Sequence, residues 1–273
     1  MIICRYCMHH CHLEEGQHGR CRIRQNRGGQ SVCDAYGLLT AIALDPIEKK
    51  PLAMFHPGSR ILSVGSCGCN LACPFCQNHD ISQAGPEEVR TAFVQPEQLA
   101  ERAEELKSAG NIGVAYTYNE PMLSFEYIRD TGKLVRNRGM VNVIVTNGSF
   151  CDEALDAVLD VTDAMNIDLK GFTEAYYRFL GGDLETVKHF IKRAAAACHV
   201  ELTTLVVPGR NDSVEEMKRL SAWAASVDPE MALHVTRYFP RWKLDEPATP
   251  VEKVLELAET ARQELHHVFT GNI

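Results

Sequence analysis

The sequence lacks any apolar run near 18 residues, so no segment reads as a membrane helix. Its start, Met1-Ile2-Ile3-Cys4-Arg5, lacks the apolar stretch and cleavage pattern of a secretion signal. The expectation is a cytoplasmic protein with no membrane partner. A surplus of positive charge is also missing. With 28 Lys and Arg against 36 Asp and Glu the net charge is −8, which argues against a general nucleic-acid binder. There is no internal repeat and no low-complexity stretch. At 45% hydrophobic and 23% charged, the 273 residues can bury a sizeable core, which excludes a disordered chain.

What is abundant is cysteine. Eleven cysteines without a secretion signal do not read as a disulfide framework. Cys151 and Cys198 stand alone and read as buried free thiols. The other nine crowd into the first 76 residues: Cys4, Cys7, Cys11, Cys21, Cys33, Cys67, Cys69, Cys73 and Cys76. Metal ligation is the natural reading of that crowding.

Two regions follow from the pattern. Residues 1–58 form a Cys/His-rich, locally basic segment, with a strand-like stretch near 31–43 and a Pro-bounded turn at Asp45-Pro46-Ile47-Glu48-Lys49-Lys50-Pro51. From 59 to 273, short β-branched runs alternate with amphipathic stretches. Strands are expected at 61–65, 113–117, 141–146, 164–169, 200–207, 232–238 and, weakly, 267–270. Helices are expected at 96–109, 123–138, 152–160, 184–198, 213–227 and 250–265, with Asp152 and Ser213 as N-caps. This alternation means a parallel α/β fold. No G-x-G-x-x-G follows the first strand, so a dinucleotide-binding fold is not favoured. A closed or partial (β/α) barrel fits better, with chemistry at the C-terminal ends of its strands.

Directly after the first barrel strand, Cys69, Cys73 and Cys76 are spaced C-x3-C-x2-C, with Phe75 before the third. Three thiolates on one loop can hold three irons of a [4Fe–4S] cluster and leave the fourth open. Structural zinc prefers a closed set of four ligands. Cys67 reads as a bystander, because a fourth ligand would close the open iron.

This motif at the top of a first strand resembles that of radical S-adenosylmethionine (SAM) enzymes. Cys76-Gln77-Asn78-His79-Asp80 and Asn166-Ile167-Asp168-Leu169-Lys170 are similar to pyruvate formate-lyase activating enzymes. Asp45-Pro46-Ile47-Glu48-Lys49-Lys50-Pro51-Leu52, Ile81-Ser82-Gln83, Tyr116-Thr117-Tyr118-Asn119-Glu120-Pro121 and Thr146-Asn147-Gly148 resemble the radical SAM member of the AmmeMemoRadiSam system. The resemblance implies a partial (β/α)6-type TIM barrel and reductive cleavage of SAM to a 5′-deoxyadenosyl radical that abstracts a hydrogen atom. It implies a reductant such as flavodoxin or ferredoxin. The substrate would be a protein, either a glycyl radical enzyme or an AmmeMemo partner. A small-metabolite substrate remains open, and a plain iron–sulfur electron carrier is disfavoured.

By the same resemblance, Tyr118, Asn119 and Glu120 stand where the family places a Gly-Gly-Glu motif, and Glu120 would receive the SAM amine. Thr146 and Asn147 would meet its ribose or amino-acid end. Asp168 and Lys170 lie two apart on a strand and share a face, and Lys170 would meet the SAM carboxylate. Phe75 and Val207 would flank adenine, and Asn78 belongs to the same cofactor-binding set. Where close relatives carry an Arg-aromatic-His-Pro stretch, this chain has Arg237-Tyr238-Phe239-Pro240, and Phe239 cannot hydrogen-bond.

Cys4, Cys7, Cys11 and Cys21 are spaced C-x2-C-x3-C-x9-C, interleaved with His9, His10, His12 and His18. They read as a second metal site, either a second [4Fe–4S] cluster or a structural zinc. Cys33 is a spare candidate.

Overall fold

A computed structural model describes all 273 residues. Its central sheet has eight strands. They are β1 (Ala41–Pro46), β2 (Arg60–Gly65), β3 (Asn111–Tyr116), β4 (Val141–Thr146), β5 (Ala164–Asp168), β6 (His199–Val206), β7 (Ala232–Arg237) and β8 (Val268–Gly271). Each strand pairs with its sequence neighbours, in the order β8-β7-β6-β5-β4-β3-β2-β1. From β2 to β8 the pairing is parallel. Strand β1 runs antiparallel to β2, with Ala43 opposite Ser63. The edge strands β1 and β8 do not pair, so the barrel is partial and open on one side.

Helices fill the crossovers: α1 (Pro96–Glu105), α2 (Phe125–Asn137), α3 (Asp152–Leu159), α4 (Glu174–Leu180), α5 (Leu184–Ala195), α6 (Val214–Val227) and α7 (Val251–Ala261). The alternation along each strand explains the layers. On β2, Leu62 and Val64 join the large core beneath the helices, while Ile61 joins a smaller cluster with Ile47, Leu52, Ala115, Val143 and Ala164. That second cluster lies near the strand starts. There the turn at 47–52 plugs the barrel floor.

A buried carboxylate fastens the plug. Glu201 of β6 is fully enclosed and accepts from the backbone amides of Ala53 (2.9 Å) and Met54 (2.8 Å). The rings of His199 and His234 also bond to it, at 3.0 and 2.7 Å. Burial opposes its charge, but these four partners outweigh burial and hold Glu201 at about 2. His234 is thus a floor residue of the barrel.

Three expectations need correction. The stretch near 31–43 is not one strand: it divides into Gln30–Cys33, Leu38–Leu39 and the first residues of β1, broken at Gly37. Gly37 has φ +73°, and a Cβ there would meet the Phe93 ring at 2.7 Å, so the turn admits only glycine. Residue 58 does not set the N-terminal segment apart, because β1 already belongs to the barrel sheet. Asp152 is the first helical residue of α3, with Cys151 at the cap. Ser213 does cap α6, its hydroxyl accepting from the Glu216 amide at 3.1 Å. Two helices escaped the pattern: the single turn at His79–Ser82, and α4, which is short and is separated from α5 by Gly181, in the left-handed conformation that ends it.

Candidate cluster and SAM site

The loop after β2 carries Cys69, Cys73 and Cys76 at the C-terminal end of the barrel, where strand ends face the open space. Polar side chains from the next strand ends brace it. Asn119 donates to the carbonyls of Cys67 (2.7 Å) and Gly68 (3.2 Å) and accepts from the Ser66 amide (2.9 Å). Asn78 donates to the Tyr118 carbonyl at 2.7 Å. Asn147, at the end of β4, donates to Asn70 Oδ1 at 2.8 Å and approaches Cys69 Sγ at 3.6 Å. The Leu71 amide also donates to Cys69 Sγ (3.4 Å), and Ser82 Oγ lies 3.2 Å from Cys76 Sγ.

Glu120 is 2% exposed. One carboxylate oxygen accepts from Thr146 Oγ1 (2.7 Å) and the Met122 amide (3.1 Å), and the other from the Asn147 amide (2.8 Å). Glu120 therefore knits the ends of β3 and β4 together. Burial raises it to about 7 against the pull of those donors. Tyr118 holds φ +72°, which lets its ring fold back over Gly65. Its hydroxyl donates to Asp45 at 2.7 Å, and Lys50 bonds the same oxygen at 2.9 Å.

Asp168 and Lys170 form an ion pair at 2.8 Å, with Lys170 beside Cys73. Burial opposes the Lys170 charge, but Asp168 and the Cys73 sulfur outweigh it and hold the ammonium above its ordinary range. Phe75 and Val207 share one buried cluster with Leu71, Cys73, Tyr176, Leu180, Tyr238 and Leu244. Both are less than a tenth exposed, so each is packed into that wall as well as placed beside the cysteine loop. Phe239 is 49% exposed, under the Arg237 guanidinium at 4.8 Å, and takes no polar role. Cys67 is fully buried in the core.

A Radical SAM superfamily model matches residues 63–221, more than half of the chain. The chain belongs to the radical SAM superfamily. It is 38% identical over its whole length to the uncharacterized protein MJ0808 of Methanocaldococcus jannaschii, of which it covers 81%. It is 24% identical to the pyruvate formate-lyase 1-activating enzyme of Escherichia coli, over 77% of this chain and 91% of that one. Its fold resembles that of SuiB from Streptococcus suis, solved with S-adenosylmethionine. The TM-score is 0.60 at 13% identity, covering 75% of this chain and 48% of SuiB.

Radical SAM proteins use a [4Fe–4S] cluster and SAM. The donor set here fits both. Cys69, Cys73 and Cys76 offer three sulfurs on one loop, with amide and hydroxyl donors aimed at two of them. Burial raises the Cys73 thiol to about 11 and raises Cys69 as well; a bound iron would favour their thiolate forms. Lys170 adds a buried cation whose charge is felt at Cys73.

The sequence placed Ser82, Asp45, Lys50 and Tyr118 in family-like stretches but did not show the Ser82–Cys76 or Asp45–Lys50–Tyr118 contacts, and it gave Arg24 no role. Arg24 is 1% exposed. Its guanidinium sits between the rings of Tyr6 and Phe125, at 4.4 and 4.5 Å, and bonds both oxygens of Glu126 on α2. Nothing in the sequence set Arg24 apart from the neighbouring Arg20, Arg22 and Arg27.

The N-terminal cysteines gather as well. Cys7 lies close enough to Cys21, Cys4 and Cys11 to feel each, although burial is the main force that pushes its thiol up to about 12. The Cys4 amide donates to the Cys11 carbonyl at 2.9 Å. A Cβ on Gly19 would lie 3.6 Å from Cys11 Sγ. Two of the four histidines are engaged elsewhere: His9 with the Asn70 carbonyl (2.7 Å) and His18 with Asp34 (2.7 Å). Cys33 faces Ser124 Oγ at 3.0 Å. No three His, Cys, Asp or Glu side chains close to the spacing of one bound ion, either here or at Cys69, Cys73 and Cys76.

Proposed function

We propose that this radical SAM protein abstracts a hydrogen atom from another protein, in the manner of a glycyl-radical activase. The observation that carries this reading is the similarity to the E. coli pyruvate formate-lyase 1-activating enzyme across 77% of the chain. The gap between β1 and β8 supports it, because an open side admits a peptide loop that a closed barrel would exclude.

Bound together, the cluster and SAM supply a 5′-deoxyadenosyl radical once an electron arrives. The chain's residues do the rest. Cys69, Cys73 and Cys76 hold the cluster. Lys170 would hold the SAM carboxylate, and Glu120 would receive its amine, while Glu120 also fixes Thr146 and Asn147. Asn78, Tyr118 and Asn119 hold the β3 end against the loop. Phe75 and Val207 keep water from the radical's side. A reduced flavodoxin or ferredoxin delivers the electron. An AmmeMemo-type protein is the alternative protein substrate.

The test is anaerobic turnover with SAM, reduced flavodoxin and cell extract from deuterated-glycine cultures, split into protein and small-molecule fractions. Deuterium should enter 5′-deoxyadenosine from the protein fraction, and Cys76→Ala should make no 5′-deoxyadenosine. Transfer from the small-molecule fraction alone would sink the protein-substrate reading.

A further inference from the structure

The N-terminal segment does not hang from the barrel. It is pressed against the cluster loop. Gly68, one residue before Cys69, has φ +82°, and a Cβ there would meet the Cys21 carbonyl at 2.7 Å and Ile23 at 2.8 Å. The backbone beside one cysteine group thus touches the backbone beside the other. The ring of His9, between Cys7 and Cys11, bonds the Asn70 carbonyl at 2.7 Å. Asn70 in turn accepts from Asn147, which approaches Cys69 Sγ. Cys7 bridges to Phe150, and the Cys151 amide donates to the Tyr6 carbonyl at 3.0 Å, past the end of β4.

The segment has little else to shape it. Its first two strands, Ile2–Ile3 and His12–Leu13, are two residues each. Turns at 7–10 and 19–22 bring the cysteines round, with the His10 amide on the Cys7 carbonyl (3.2 Å) and the Arg22 amide on the Gly19 carbonyl (2.9 Å). His10 and Arg22 both take positive φ, at 41° and 70°. Left-handed backbone at non-glycine residues costs energy that the surroundings must supply. Short loops with a small core usually draw it from a metal or another staple.

We propose that Cys4, Cys7, Cys11 and Cys21 ligate a second, thiophilic metal centre, and that this centre clamps the loop bearing Cys69, Cys73 and Cys76. The clamp acts through the Cys21–Gly68 and His9–Asn70 contacts. A four-iron cluster or a zinc ion shares this ligand chemistry. A four-iron cluster takes more room than an ion, and a thiol can swing about χ1 to meet either. The proposal does not depend on the substrate proposed above.

The test uses the whole chain, purified anaerobically, and its Cys69→Ala/Cys73→Ala/Cys76→Ala variant. The variant should retain either about four irons with matching sulfide or about one zinc. Adding Cys21→Ser should remove that metal. Either metal supports the centre and tells which kind it is. In case the quadruple variant does not fold, metal analysis of the unaltered chain gives an independent answer. About eight irons, or about four irons and one zinc, supports the proposal. About four irons with no second metal overturns it. The clamp has its own readout: Cys21→Ser alone should alter the electron paramagnetic resonance signal of the reduced SAM-bound cluster. An unchanged signal would overturn the clamp.

Discussion

Lys170 shows how one side chain is committed before any ligand arrives. It is paired with Asp168 at 2.8 Å and lies beside Cys73. A carboxylate entering there shares an ammonium that is already charged and already oriented, so little reorganisation is needed. Lys170→Ala removes a charge-assisted bond of about 1.5–3 kcal/mol and leaves Asp168 facing the same carboxylate. SAM affinity should fall by roughly 10- to 150-fold. Equilibrium dialysis of the reconstituted protein checks this, and unchanged binding would remove Lys170 from the site. Glu120 differs in kind. Its oxygens already take three protein donors, so its first effect is on the placement of Thr146 and Asn147.

At the scale of elements, the strand ends build the site and the strand starts build its floor. The floor turns on Glu201. Its folded value of about 2 lies below the ordinary 4.5. A depressed carboxylate contributes stability that is present above pH 4.5 and lost as pH falls towards 2. The contribution is on the order of 3 kcal/mol. Glu201→Gln should therefore be less stable at neutral pH and should flatten the fall in stability between about pH 4.5 and 2. Urea melts across that range decide it: parallel curves for the two proteins would refute the anchoring role. This element was only half legible in the sequence. The strands from β2 to β8 could be read because buried parallel strands are continuous β-branched runs. The C-x3-C-x2-C loop could be read because ligand spacing is local. What could not be read was pairing at long range. Glu201 meets Ala53 and Met54 across nearly 150 positions, and no periodicity encodes that. β1 was only partly read, because the expected stretch at 31–43 stops short of its end and its antiparallel pairing with β2 is set by the turn between them.

For the whole molecule, the question is what joins the N-terminal segment to the barrel. Arg24 is the strongest non-covalent answer. It stacks between Tyr6 of the segment and Phe125 of α2, and forks onto Glu126. It also donates to the Leu123 carbonyl at 2.9 Å. Removing one member of a buried pair costs about 3–5 kcal/mol, because the partner is left uncompensated. Glu126 keeps a quarter of its side chain exposed, so the lower end of that range applies. Arg24→Ala should lower stability by about 3 kcal/mol. The loss should concentrate in the segment, with proteolytic cuts appearing before residue 40 while the barrel survives. Arg24→Lys should not rescue it, since an ammonium neither forks onto a carboxylate nor stacks flat between rings. If the segment also holds the cluster loop, the Arg24→Ala protein should lose iron faster under a chelator. Equal protease resistance and equal iron retention would show that the segment stays seated without Arg24. The coupling would then have to run through Cys21 and Gly68 alone.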